Sequence, residues 1–304
     1  MENVAHIVYG EVPQAIVAVD ADAQACSPHM PGAPALEHLT AASAQSAVIY
    51  APAGTTERRY VLALALRALK PATTLLALAP KAKGGSRLRQ DLERFGCTVA
   101  EEARAHHRIC HALRPENLRG IEEALHAGGM HKHAAHGLFT QAGIFSFDRI
   151  DAGTQLLLNH LPPLQGKGAD FGCGIGVLTR AALALPQVAA ITLIDRDRRA
   201  VEASRRNVID GRAQFLWADV TSDHFDLRDL DFIIMNPPFH DGALEDKTLG
   251  QRFIMTAARA LKKGGICALV ANNHLPYEQV LAQHFMQHSC TAQAYGFKIL
   301  VAVK

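Results

Sequence analysis

Three glycines at alternate positions carry the clearest chemical signal in this sequence, and they follow closely on an acidic residue. The segment reads Asp170-Phe-Gly172-Cys-Gly174-Ile-Gly176. Glycine allows the backbone to approach a ligand, and a helix that begins after such a turn offers free N–H groups to an anion. The dinucleotide fingerprint GxGxxG does not fit, because valine and threonine occupy the positions of its last glycine. The segment therefore predicts a ligand-binding turn without naming the ligand.

A second acidic residue, Asp195, lies 19 residues after Gly176, at the end of the next predicted strand. A carboxylate at this point of an α/β sheet can accept hydrogen bonds from both hydroxyls of a ribose. Together with the glycine turn, Asp195 predicts a cofactor that contains adenosine, although not necessarily a nicotinamide one.

The motif Asn236-Pro237-Pro238-Phe239 follows a later strand of the same predicted sheet, at the edge where α/β proteins bind ligands. An exocyclic amine is hard to methylate because its lone pair is delocalised into the ring, so acceptors must hold its hydrogens as positive charge develops. The Asn236 side-chain oxygen and the Pro237 carbonyl can be those acceptors, and Phe239 can stack on a base. The motif favours amine methylation; a simple strand-ending turn is the alternative.

These motifs require a sheet to position them, and the second half of the sequence predicts one. From residue 168 onward, short β-type runs alternate with helical patterns, as in an open α/β sheet with helices on both faces. The expected strands cover 169–171, 190–194, 214–217, 232–235, 266–270 and 295–303, and the expected helices cover 177–185, 199–209, 249–261 and 277–285.

The first half predicts a second α/β domain that lacks a catalytic motif. Its expected strands cover 15–19, 47–50 and 74–78, and its expected helix covers 56–69. Glycines interrupt a short helical pattern in 115–130, so we place the domain boundary there. The predicted domains are 1–127 and 128–304.

Composition limits the function classes. The chain has 304 residues, of which 49% are apolar, and its formal net charge is only +2, which excludes a disordered polyelectrolyte or a strongly basic nucleic-acid coat. Six scattered cysteines without a CxxC pair indicate reduced thiols. We see no signal peptide or membrane span and expect a cytoplasmic protein.

One segment, 81–119, is locally cationic, with nine Lys or Arg against five acids. Its first basic residues are Lys81, Lys83, Arg87 and Arg89, and the glycines between them indicate a flexible loop that could contact phosphates. The alternative is an ordinary solvated helix face.

Histidines cluster at residues 126, 131, 133 and 136. In an extended chain His131 and His133 would share one face and His136 would lie on the other, and no Cys or carboxylate frame accompanies them. We therefore expect no metal. His240, next to Phe239, is expected either to hydrogen-bond RNA or to have a structural role.

The motifs together resemble class I S-adenosylmethionine-dependent methyltransferases and, within them, the ribosomal RNA guanine-N2 methyltransferase family. The resemblance runs from about residue 143 to the C-terminus. It rests on Gly143-Ile-Phe-Ser146, Asp151 with Thr154-Gln-Leu-Leu-Leu158, the glycine turn, Val201-Glu-Ala-Ser204, the segment 236–242, Val270-Ala-Asn272, Leu275-Pro-Tyr277 and Phe297-Lys298.

The resemblance implies two tandem Rossmann-like domains that arose by duplication. The C-terminal one would have a seven-stranded doubly wound sheet and would bind S-adenosylmethionine. The N-terminal one would be degenerate, without cofactor binding, and would help to hold RNA. The segment 47–52 and the Gly84-Gly85 loop look like its eroded motifs.

Site roles also follow from the resemblance. Asp219 would accept from the adenine amino group. The remaining roles are these: Asp170, Gly172, Gly174 and Gly176 at the methionine end, Asp195 on the ribose, Asn236, Pro237 and Phe239 on the guanine, with Asn236 also among the cofactor-binding residues, and Phe145, Asp151 and Thr154 at the cofactor mouth. Two alternatives stay open: that Asp170 only braces the turn, and that Asp219 is a capping or turn residue. Trp217 is expected in the core rather than as an adenine platform.

The implied function is methyl transfer to N2 of a guanine in 16S ribosomal RNA, by a monomer that acts on the RNA or the small ribosomal subunit. Alternatives with the same cofactor are a guanine in large-subunit RNA, an adenine N6 or a protein glutamine. A non-catalytic RNA-binding assembly factor is the alternative from another class.

Overall fold

A computed structural model describes residues 4–238, 240–241, 244–245 and 247–304. The chain forms two compact units. The first contains residues 1–130 and 141–143, and the second contains residues 131–140 and 144–304. Among the described residues, no helix is long and apolar enough to cross a membrane.

The N-terminal unit is a sheet with helices packed on it. Its strands are β1 (His6–Tyr9), β2 (Gln24–Ala25), β3 (Ala44–Tyr50), β4 (Leu69–Pro80), β5 (Thr98–Arg104) and β6 (His107–Leu113), and its helices are α1 (Thr55–Ala68), α2 (Ser86–Arg94) and α3 (Ile121–Gly128), with a short 3-10 turn at Leu36–His38. In the described part of the unit the strand order is β2-β1-β3-β4-β6-β5. Helix α1 is the centre of its core, because most of its apolar side chains are buried.

Two sequence expectations for this unit were wrong. Residues 15–19 do not form a strand: the N–H groups of Ile16 and Val17 both donate to the Pro13 carbonyl, which closes a turn, and Val17 is buried in it against Leu78. The strands β5 and β6 were not expected. Nearly every residue of β5 is exposed, so it shows no alternation of apolar and polar residues.

The C-terminal unit carries a longer sheet. Its strands are β7 (His131–Lys132), β8 (Phe139–Thr140), β9 (Gly166–Phe171), β10 (Val188–Asp195), β11 (Ala213–Trp217), β12 (Leu230–Met235), β13 (His240–Asp241), β14 (Leu244–Glu245), β15 (Leu261–Asn272), β16 (Gln287–Ala294) and β17 (Phe297–Val303). Its helices are α4 (Ala152–Asn159), α5 (Val177–Leu183), α6 (Arg198–Asn207), α7 (Lys247–Ala260) and α8 (Tyr277–His284).

Seven of its described strands form one sheet in the order β11-β10-β9-β12-β15-β17-β16. Neighbours pair in parallel from β11 to β15, whereas β17 runs antiparallel to both β15 and β16. The expected final stretch 295–303 corresponds to β17, and β16, which was not expected, forms a hairpin with it that turns at Tyr295 and Gly296.

The two units share one topology. From β3 to β6 the N-terminal unit repeats the pattern of β12, α7, β15, α8, β16 and β17: two parallel strands, each followed by a helix, and then an antiparallel hairpin. The expected fold class of two tandem Rossmann-like domains is confirmed. The N-terminal sheet is one strand shorter, because no strand equivalent to β11 is present among its described residues.

Candidate active site

The three motifs meet at the carboxyl edge of the C-terminal sheet. Strand β9 lies between β10 and β12, and its last residue, Phe171, pairs in register with Ile194 and Met235. Each of the three features lies at the end of one strand: the glycine turn follows β9, Asp195 ends β10 and Asn236 follows β12. The parallel strand order thus brings together residues that are far apart in the sequence.

The glycine turn adopts a backbone that other residues rarely reach. Gly172, Gly174 and Gly176 have φ of +74°, +52° and +85°, all in the left-handed region. A side chain on Gly174 would meet no atom within 4 Å, so this glycine is required by its φ and leaves open space above the turn. This open surface is the kind of backbone cradle that a ligand can approach.

Asp195 fixes that turn. Its Oδ2 accepts from the Gly174 N–H at 2.9 Å and its Oδ1 accepts from the Asp197 N–H at 2.8 Å. Burial raises the pKa of this carboxyl group to about 6. Each oxygen accepts one protein hydrogen bond and retains a second lone pair for a ligand hydroxyl.

Asp170 lies beneath the turn and is completely buried. Its Oδ2 accepts from Thr179 Oγ1 at 2.7 Å, which ties the end of β9 to the first turn of α5. Its Oδ1 is buried without a hydrogen-bond partner among the described residues. Burial raises the pKa of Asp170 to about 7.

Asp219 follows β11 and forms a turn. Its Oδ1 accepts from both the N–H and the hydroxyl of Thr221, at 2.8 and 2.7 Å. This is the turn role that the sequence left open, and a contact with adenine stays a prediction. Trp217 is partly exposed rather than in the core, where we expected it, because its indole N–H donates to the Arg196 carbonyl at the end of the neighbouring strand.

Asn236 is held by the start of α4. Its Nδ2 donates to Thr154 Oγ1 at 2.9 Å and to Asp151 Oδ2 at 3.2 Å. Asp151 is also the N-cap of α4, since its Oδ2 accepts from the Thr154 N–H at 3.0 Å. An ionised carboxylate can only accept, so the contact fixes which end of the Asn236 amide is nitrogen. The side-chain oxygen is left for another donor.

The residues that follow Asn236 in this motif are described only in part. Pro237 is buried and Pro238 is exposed. Phe239, which we expected to stack on a base, lies outside the described residues. His240 belongs to the short hairpin of β13 and β14, and its side chain lies outside the described part.

Helix α4 is in turn locked against the last strand. A side chain on Gly153 would come within 2.9 Å of Phe297 Cδ1, so the helix packs there through its backbone. The next residue, Lys298, is buried and its Nζ contacts both Glu278 oxygens at 2.6 and 2.8 Å. The sequence did not indicate the partners Thr179 and Glu278, because only the fold brings them near Asp170 and Lys298.

In the described part of the N-terminal unit, the edge equivalent to this site carries different side chains. After β3 the chain reads Ala51-Pro52-Ala53, without an amide side chain. The buried guanidinium of Arg58 donates to the Ala53 carbonyl at 2.8 Å and to Asp91 at 2.8 Å. A side chain on Gly84 would collide with this guanidinium.

The cationic loop of that unit follows β4. Lys81, Arg87 and Arg89 are exposed and Lys83 is partly buried. Arg89 pairs with Glu93 on the surface, at 2.7 Å. The Lys81 N–H donates to the His106 carbonyl at 2.9 Å, which fixes the loop to the tip of the β5–β6 hairpin.

The histidines of residues 131–136 do not lie on one extended segment. Residues 134–136 form a turn, and the His136 ring stacks on the His133 ring with 4.5 Å between centroids. Within the described ranges, no three His, Cys, Asp or Glu side chains lie together as metal ligands would. All six cysteines fall within the described ranges and are free thiols.

Comparison with known proteins agrees with this geometry. Residues 135–301 match the model of the methyltransferase small domain family. A ribosomal RNA small subunit methyltransferase C from Shewanella sediminis is 30% identical over 264 residues, which cover 83% of this chain and 75% of that protein. The enzyme of the same name from Klebsiella pneumoniae is 42% identical over 162 residues, which span 47% of its length, so this chain aligns with about half of that relative.

Among solved structures, a T. thermophilus 16S rRNA N2 methyltransferase in complex with AdoMet and guanosine covers 100% of this chain and 89% of its own, with a TM-score of 0.78 and 21% identity. This likeness shows the fold.

The strand order, the glycine turn and the Asn-Pro-Pro motif define a class I S-adenosylmethionine-dependent methyltransferase. The coverage and identity of the relatives are sufficient to place it more narrowly. The chain belongs to the methyltransferase small domain family and, within it, to the family of ribosomal RNA small subunit methyltransferase C.

Proposed function

We propose that this protein transfers a methyl group from S-adenosylmethionine to N2 of a guanine in 16S ribosomal RNA. The observation that carries the proposal is the orientation of Asn236: its amide nitrogen donates to Thr154 and Asp151, and among the described residues no donor contacts its amide oxygen. The names of the relatives, all small-subunit ribosomal RNA enzymes, support RNA as the substrate class.

The residues at the sheet edge fit the cofactor. Asp195 would accept the ribose hydroxyls and the open backbone of the glycine turn would face the methionine part. The Oδ1 of Asp170, which has no hydrogen-bond partner among the described residues, would accept a hydrogen bond from the amino group of the methionine part, directly or through water. When bound, S-adenosylmethionine supplies an electrophilic methyl group on a sulfonium, which is a good leaving group.

The chain itself would orient the target amine. Asn236 Oδ1 and the Pro237 carbonyl would accept the two N2 hydrogens and turn the nitrogen lone pair out of conjugation. Both acceptors also stabilise the positive charge that develops on nitrogen. No strong base is needed, because the product nitrogen is acidic enough to lose its proton to solvent.

The N-terminal unit would position the RNA. Lys81, Lys83, Arg87 and Arg89 lie on or directly after the loop that follows β4, and they would contact phosphates without reading sequence. Because Arg58 and Asp91 occupy the equivalent edge of this unit, we assign it no cofactor.

The test is to map modified nucleotides of 16S ribosomal RNA by mass spectrometry, with and without the gene. One guanine should lose a methyl group in the deletion strain and regain it with the wild-type gene, but not with Asn236→Ala. Unchanged guanine methylation in the deletion strain contradicts the proposal. Loss at an adenine or in the large-subunit RNA would replace it with one of the alternatives.

A further inference from the structure

The turn between β16 and β17 places an aromatic residue where a hairpin favours asparagine or glycine. Tyr295 and Gly296 have φ of +54° and +83°, and two successive positive φ values are those of a type I′ turn. A bulky side chain is strained in this region. Tyr295 is also 85% exposed, so it gains no packing in return. The fold therefore does not account for this tyrosine.

The turn lies at the same edge of the sheet as Asn236. Strand β17 pairs antiparallel with β15, with Phe297 opposite Asn272, so the turn before β17 projects beyond the carboxyl end of β15. Strand β15 is the parallel neighbour of β12, which ends at the motif of Asn236. Two strand spacings correspond to about 10 Å across the sheet. A nucleotide next to the target would come within reach of Tyr295.

The turn is held rigidly. The Asn273 N–H donates to the Gly296 carbonyl at 2.9 Å. Phe297 packs on the backbone of Gly153 in α4, the helix whose first turn holds Asn236. The backbone that carries Tyr295 is thus fixed relative to α4 and the end of β15.

The surface of the turn suits a base. No acidic residue lies in 287–304, and Glu278, the nearest one before it along the chain, is paired with Lys298. Asp151, which lies near Phe297 across Gly153, accepts from Asn236 and from the Thr154 N–H. Asn273, at the end of β15, is exposed. Aromatic rings bind unpaired bases by stacking, and sequence-specific RNA recognition mostly uses such bases.

We propose that Tyr295 stacks on an unpaired base adjacent to the target guanine and so helps to hold the RNA over Asn236. This inference rests on the proposed function, because it requires an RNA substrate.

The test compares methyl transfer by wild type, Tyr295→Asn and Tyr295→Phe on small ribosomal subunits from the deletion strain and on the RNA extracted from them. Tyr295→Asn creates the favoured Asn-Gly turn, so its thermal midpoint should not fall. Its KM for RNA should rise about fivefold to a hundredfold, with kcat and the cofactor Kd unchanged. Tyr295→Phe should restore the wild-type KM.

Met286→Ala is the matched control, because Met286 is 75% exposed and lies just before the other end of β16, at the opposite edge of the sheet. Its KM should equal that of wild type. An unchanged KM in Tyr295→Asn overturns the inference, as does a wild-type dimer that Tyr295→Asn dissociates in light scattering. If wild type transfers no methyl group to either substrate, the proposed function itself fails. If wild type transfers methyl groups normally and Tyr295→Asn has the wild-type KM for RNA, only the stacking by Tyr295 is refuted.

Discussion

The amide nitrogen of Asn236 lies 2.9 Å from the hydroxyl oxygen of Thr154, and the same amide contacts Asp151, which caps helix α4. This contact joins the end of β12 to a helix that precedes the sheet in the sequence. It fixes the rotation of the amide, so that its oxygen and not its nitrogen is left for a substrate donor. We regard Asp151 and Thr154 as positioning residues for Asn236.

The first prediction separates positioning from folding. Asp151→Ser keeps a good N-cap but loses the carboxylate that holds the Asn236 amide, and Thr154→Val loses the hydroxyl acceptor. Each should lower kcat by up to about a hundredfold, because small errors in orientation are costly, with the cofactor Kd near wild type. Steady-state kinetics and calorimetric titration check this. Gln155→Ala, on the exposed side of α4, is the control. A wild-type kcat in both variants would exclude a positioning role.

A second prediction concerns Asn236 itself. Asn236→Ala removes an acceptor that is used as charge develops on the amine, so kcat should fall roughly 100-fold to 1000-fold, the scale of losing one preorganised electrostatic contact. The cofactor Kd should change little, because Asp195 and the glycine turn are untouched. Single-turnover methyl transfer to ribosomal RNA measures it. Turnover at the wild-type rate would rule out the mechanism.

The centre of the C-terminal sheet was predictable because β9 and β12 are largely buried and the motifs mark the strand ends. Strand β12 carries the apolar run Phe-Ile-Ile-Met at 232–235, and the glycine turn marks the end of β9. The edge strands β5 and β16 could not be predicted in the same way. Their residues are largely exposed, so neither strand has an apolar face that would give a period in the sequence.

The site could be predicted only as far as strand ends can locate it. The parallel order implies that the glycine turn, Asp195 and Asn236 share an edge, and they do. The contacts that orient them depend on tertiary packing. The hydrogen bonds from Thr179 to Asp170 and from Asn236 to Thr154 each join different elements. No spacing in the sequence therefore predicts them.

The third prediction is a pH dependence. In the proposed function Asp195 would accept the ribose hydroxyls as a carboxylate, and its pKa is raised to about 6 by burial. Cofactor affinity should therefore be constant above that pH and should weaken as the pH falls through about 6. Because the folded-state pKa is raised, the contribution of Asp195 to stability has the opposite sign: it is fully present below the unfolded value of about 4 and is lost as the pH rises through about 6.

Calorimetric titration of S-adenosylmethionine between pH 5 and 8 checks the binding part. In Asp195→Asn the affinity should be weaker by about 1.5–3 kcal/mol at pH 7.5, the scale of a hydrogen bond to a charged group, and nearly independent of pH in this window. A wild-type affinity that stays constant to pH 5 would show that the Asp195 carboxylate does not bind the cofactor.

The fourth prediction concerns the N-terminal unit. Arg58 and Asp91 form an ion pair in which both side chains are 1% exposed, and Asp91 also accepts from Arg59 at 2.7 Å. Arg58→Ala should lower the free energy of unfolding by about 3–5 kcal/mol, because it leaves a buried carboxylate with fewer donors. Urea denaturation measures this loss. Arg89→Ala removes only a surface pair and should leave the unfolding midpoint nearly unchanged. Equal midpoints for the two variants would show that the buried pair does not stabilise this unit.

The last prediction tests the cationic loop as a phosphate-binding surface. Replacing Lys81, Lys83 and Arg87 together by Ala should weaken RNA binding, because each phosphate contact releases counterions. The slope of log Kd against log salt should decrease by up to roughly 0.7 to 0.9 for each lost contact, whereas kcat at saturating RNA should be unchanged. Filter binding at several salt concentrations gives the slope. Arg94→Ala, at the far end of α2 and paired with Glu123, is the control and should keep the wild-type slope. If the triple variant also keeps that slope, these side chains belong to a solvated face and the RNA is held elsewhere.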